Sequence, residues 1–105
     1  MAKSKVTVIR REYFTDLAEK YLNNPKVGAC PLFKDGQEFI FNWNAFWHMP
    51  QGFCSKAWGA ISHYVFAQIS GGVVLKGWTN DGKLMIGCCS DGVRPVIFKI
   101  ERMDD

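Results

Sequence analysis

Cys30, Cys54, Cys88 and Cys89 are the side chains in this sequence best suited to attack an electrophile or hold a soft metal. No pair of them has the C-x-x-C spacing of a zinc knuckle or a thioredoxin-like site. Cys88 and Cys89 are neighbours in a run that reads as a strand, so their side chains point to opposite faces and at most one can enter a given site. A convergent set would take Cys30 from a loop, Cys54 from a helix start and one of Cys88 or Cys89 from a strand end, with Cys89 as the choice. With His48 or His63 as a fourth ligand, such a set would suit zinc or iron. The plainer reading is that cysteine behaves as a small, commonly buried hydrophobe. Redox or nucleophilic thiol chemistry is a third reading.

Cys54 has the strongest individual case. It follows Pro50-Gln51-Gly52-Phe53 at the start of a helical pattern, where unpaired N–H groups and the helix dipole stabilise a thiolate. Lys56 adds positive charge nearby. Cys54 also shares an apolar stripe with Trp58 and Ile61, and burial there disfavours the charged form. At about 100° per residue, His63 falls on the opposite side of the same helix, so His48 is the better candidate to assist Cys54 as a catalytic base. Asp91 and Arg94 flank a turn beside Cys89. They make a local Asp-Gly turn and ion pair on one reading, and an anion-binding rim on the other. Four tryptophans, Trp43, Trp47, Trp58 and Trp78, exceed what a small core needs. Trp47 and Trp58 would wall a ligand pocket between the 44–53 loop and the second helix, or belong to core and subunit interface.

The elements that must position these groups are legible from periodicity. Lys5 to Arg10 alternates as a strand, with Val6 and Val8 on one face. Phe14, Leu17, Ala18, Tyr21 and Leu22 form a helical stripe that Asn23-Asn24-Pro25 ends. Residues 26–35 are irregular, and Glu38 to Trp43 is a second strand. A second helix runs from about Cys54 to Ser70, where Gly71-Gly72 stops it. Residues 73–82 read as loop or a short extra strand. Leu84 to Cys89 and Pro95 to Arg102 form a hairpin through Ser90-Asp91-Gly92. The order βαβαββ predicts an α+β fold: a mostly antiparallel sheet of about four strands with two helices on one face.

Length and composition bound the rest. The chain has 105 residues with 48% hydrophobic and 22% charged side chains, a single globular domain over 1–105. Its net charge of +3 is concentrated near the N-terminus in Lys3, Lys5, Arg10 and Arg11. Interleaved with Val and Ile, these read as the solvent face of a strand, and no dense basic patch argues for nucleic acid. Met1-Ala2-Lys3-Ser4-Lys5 leads straight into the first strand without an apolar signal segment. The uncharged stretch from Ala57 to Leu75 is too polar and glycine-rich to span a membrane. A cytoplasmic protein with free thiols is expected, and the aromatic loop favours a homo-oligomer.

The chain also resembles a family of small bacterial and archaeal proteins, many from anaerobes, that has no settled activity or cofactor. The shared pieces are Cys30-Pro31 with Gly36-Gln37-Glu38-Phe39, Gly52-Phe53-Cys54 with Ala57-Trp58, Gly71-Gly72, and the closing run from Cys88-Cys89-Ser90-Asp91-Gly92 to Arg102. The resemblance spans nearly the whole chain and implies a stand-alone domain in which the cysteine positions recur. Many relatives carry a Gly-His pair where this chain has Lys34-Asp35-Gly36. A metal-ligating histidine there would be missing here, which counts against zinc. The expected function is a cytosolic ligand-binding or accessory module, with its site of cysteine and aromatic residues at the start of the second helix and a small molecule or protein as partner. The alternative is a thiol- or metal-dependent enzyme using Cys54.

Overall fold

Alternating apolar residues pair into a single sheet, and the computed structural model describes it over residues 2–44 and 48–104. The elements are β1 (Lys3–Arg11), α1 (Thr15–Tyr21), β2 (Glu38–Phe41), α2 (Ser55–Ile69), β3 (Leu84–Cys88) and β4 (Val96–Met103). This is the α+β order that the sequence implies. The four strands are antiparallel in the order β2-β1-β4-β3. Among the described residues, 73–82 form turns and no extra strand.

One sheet face carries Val6, Val8, Phe41, Val96, Phe98 and Ile100, each at most 2% exposed. α2 lies across β1, β4 and β3 on that face and contributes Ala57, Ile61, Val65 and Ile69 to the core. Each fully buried Val, Ile or Phe removes apolar surface worth about 1.5–3 kcal/mol. Helix and sheet approach closely at Gly87, where an added Cβ would stand 3.3 Å from the Tyr64 ring and 3.4 Å from Ile61 and Ile100. A buried polar clamp crosses the same interface. Gln68 of α2 accepts from the Ser4 hydroxyl at 2.7 Å and donates to the Ile100 carbonyl at 2.7 Å.

α2 is closed at its C-terminal end by a Schellman arrangement. Gly72 N–H donates to Ala67 O, Gly71 N–H donates to Gln68 O, and Gly71 takes the left-handed φ of +84° that the motif requires. The short α1 is held through the chain leading into it. Glu12 N–H donates to Pro95 O and Phe14 N–H to Val93 O, which extends the β1–β4 pairing toward the Asp91–Pro95 turn. Among the described residues no helix is long and apolar enough to cross a membrane.

Candidate functional site

Three local features bring separated cysteines together. The first is a bulge in β1, where the register with β4 shifts between Val8 and Arg10. Just before it, Gly36 N–H donates to Val8 O and Val8 N–H donates to Gln37 O, which lays residues 36–37 along the strand. Arg11 completes the tie. Its Nε donates to Asp35 Oδ1 at 3.1 Å and its Nη1 to the Cys30 carbonyl at 3.1 Å. Phe33, 1% exposed, anchors this loop by meeting Phe53 and Phe98 edge-on. Cys30 is therefore held through its own carbonyl and, three residues on, by the Phe33 anchor.

The second feature is the entry into α2. Pro50 to Phe53 turns with a Phe53 N–H to Pro50 O bond, and Gly52 has the φ of +81° that suits the third position of a type II turn. Phe53 is buried, stacked on Phe98 and edge-on to Trp58 at 6.1 Å. Its packing against the residue at the fourth helical position is a hydrophobic staple. Cys54 is thereby set as the N-cap, one residue before the helix proper, and its side chain makes no capping hydrogen bond. The first-turn N–H groups have no intrahelical partner, and the first turn holds no acidic residue.

The third feature is the β3–β4 turn. Cys89 continues the ladder beyond β3: its N–H donates to Val96 O, and its Sγ accepts the Val96 N–H at 3.3 Å. Its thiol thus takes a place in the ladder normally filled by a carbonyl. Asp91 Oδ1 accepts from the N–H groups of Val93 at 2.8 Å and Arg94 at 3.0 Å. The bond from Arg94, then that from Val93, holds the Asp91 carboxyl below its ordinary value of 3.8. Burial opposes this, and the charges of Arg94 and Lys56 assist it. Arg94 Nε lies 3.7 Å from Asp91 Oδ2.

Cys30, Cys54 and Cys89 line one cleft of about 260 Å³ together with Lys56, Asp91 and Arg94. All three thiols are half-buried, whereas Cys88 is exposed. Strand alternation explains the difference, since Cys89 packs toward the core while its neighbour faces away. A second cleft of about 280 Å³ lies beside it, between Leu22–Asn24 and Val93, and Asp91 and Arg94 line both. Those two residues are a shared wall. Among the described residues, no three His, Cys, Asp or Glu side chains are grouped so that they could hold one metal ion.

The aromatic and histidine candidates lie elsewhere. Trp58 stacks on Phe41 with centroids 5.2 Å apart and packs against the core; it does not line the cleft. Trp47 lies outside the described residues. His48 is exposed and does not line the cleft either, while His63 packs on Tyr64 with ring centroids 4.0 Å apart. Lys56, Leu32 and Ser55 also line the cleft; of these, Leu32 and Ser55 are not evident in the sequence, where only an apolar residue in a loop hints at Leu32. No family model, curated protein or solved structure matches this chain.

Proposed function

We propose that this protein is a small-molecule binding module that receives an anionic ligand in the thiol-lined cleft. One observation carries the reading: the cleft gathers three half-buried thiols and two cationic side chains at the uncapped start of a 15-residue helix. Free N–H groups and the positive end of the dipole favour an anion there. Lys56 and Arg94 exceed the single opposing charge of Asp91, whose oxygens are already engaged by Val93, Arg94 and the Arg94 guanidinium. Arginine's planar fork adds directional contacts for a carboxylate. A reducing cytoplasm, in which the thiols stay free, is the setting that suits such a site.

The test is a titration of the reduced, isotope-labelled protein with S-methylglutathione, a carboxylate-bearing probe unable to react with thiols, followed by backbone amide shifts. Saturable shifts centred on Cys54–Ala57 and Asp91–Arg94, weakened in Arg94→Gln, are expected. Shifts scattered over the surface, or none at millimolar probe, would remove the reading.

A further inference from the structure

We propose that Cys54 captures small anionic disulfides by thiol–disulfide exchange, with Lys56 and Arg94 drawing in the ligand's carboxylates. The inference rests on the anion-binding reading of this cleft and names the ligand class and the reacting atom. Three independent features select that chemistry. The cleft is lined by thiols and cations, and neither histidine is among the lining residues, so an electrophile whose leaving group needs a proton donor is poorly served. Disulfide exchange needs only an attacking thiolate and a leaving thiolate, both favoured by nearby positive charge. Asp91 is kept ionised by its backbone donors and is unsuited to give a proton.

Among the three thiols, Cys54 is the one placed to attack. Cys89 Sγ is fixed in the β3–β4 ladder by the Val96 N–H, and Cys30 belongs to the irregular loop between α1 and β2 and not to a helix start. Cys54 is the N-cap of α2, with Lys56 in the same first turn. In the step itself, the Cys54 thiol first yields its proton to solvent. The thiolate then attacks one sulfur of the disulfide R–S–S–R. A Cys54 S–S–R bond forms, the original S–S bond breaks, and RS⁻ departs with the electron pair and is protonated by solvent. Cys54 is oxidised to the mixed disulfide, and the departing half is reduced.

The exposed Cys88 supplies a reference thiol within the same chain. If exposure alone governed reaction, Cys88 would be modified first by any disulfide. The experiment treats the reduced protein with oxidised glutathione, which is anionic, or with 2-hydroxyethyl disulfide, which is neutral. Intact mass and peptide mapping then follow the order of modification. With oxidised glutathione, Cys54 is expected to take the first equivalent ahead of Cys88. The Cys54-to-Cys88 rate ratio should exceed that with the neutral disulfide by about tenfold, the lower end of electrostatic rate enhancement. Arg94→Gln combined with Lys56→Gln should bring the two ratios together, and Cys54→Ser should shift the first adduct to Cys88.

Modification of Cys88 first by both reagents, or equal ratios for both, overturns the proposal. The S-methylglutathione titration separates the two ways of failing. Localised shifts without capture would sink disulfide exchange and leave anion binding standing; neither shifts nor capture would sink both.

Discussion

Replacing Gln68 with methionine tests how α2, and with it Cys54, is held at its angle to the sheet. Gln68 is 2% exposed and Ser4 fully buried, and Gln68 joins β1 to β4 through two 2.7 Å hydrogen bonds. A third, at 3.4 Å, reaches the Lys83 carbonyl. Methionine matches the length and approximate volume of glutamine, so little cavity or strain is expected. The Ser4 hydroxyl then stays in a dry interior without a partner, at about 1–3 kcal/mol, and the bond to Ile100 contributes about 1 kcal/mol more. The sum is a loss of about 2–4 kcal/mol. For a domain near this size each kcal/mol moves Tm by about 4–8 °C, so a fall on the order of 10–30 °C is expected. Urea and thermal unfolding followed by circular dichroism would measure it. The Ser4→Ala/Gln68→Met pair removes both polar partners, so it should be more stable than the sum of the two single losses implies, by about 1–2 kcal/mol. Strictly additive losses, or a Gln68→Met effect below about 0.5 kcal/mol, would refute the clamp.

Three further outcomes follow from the geometry. Gly87→Ala puts a Cβ 3.3 Å from the Tyr64 ring, and the overpacking should cost about 1–3 kcal/mol, read from the denaturant midpoint. Phe53→Ala empties the junction of Phe33, Phe39, Phe98 and Trp58; a loss of about 3–5 kcal/mol should accompany faster iodoacetamide labelling of Cys54 relative to Cys88. Asp91 titrates below its ordinary 3.8 in the folded state. Its stabilising contribution is therefore complete above 3.8 and lost as pH falls through the folded value. The stability gap between wild type and Asp91→Asn should accordingly be widest near neutral pH and shrink in acid, as measured by urea unfolding across pH; a gap unchanged with pH would contradict this.

Much of the fold was legible because burial imposes period. Val6 and Val8, Val96 to Ile100, and the stripe Ala57, Ile61, Val65 and Ile69 announce their faces, and those residues are the core. The meeting of Cys30, Cys54 and Cys89 in one cleft is compatible with the sequence but not dictated by it. What brings Cys30 to the cleft is a bulge after Val8 and the reach of Arg11, and neither leaves a periodic trace. A surplus of tryptophans leaves Trp58 free for a ligand pocket, but its ring stacks on Phe41 of β2, and such a helix-to-strand pairing leaves no mark in the periodicity of either element. His48 illustrates the same limit, since closeness in sequence to Cys54 did not bring it to the cleft.

The strand order β2-β1-β4-β3 has a kinetic consequence. The two central strands are the first and last elements of the fold, and Val6 lies opposite Ile100. Hairpin β3–β4 and helix α2 can begin to form from nearby sequence, but the middle of the sheet waits for closure of a loop that includes almost everything else. Such long-range pairing slows folding, because chain entropy is lost before the contacts that repay it are made. Until β1 docks, β4 presents an unpaired edge rich in Val, Ile and Phe, the kind of edge that associates with other chains. Refolding yield should therefore fall with protein concentration more steeply than native stability would suggest, and the β1–β4 seam is where that vulnerability lies.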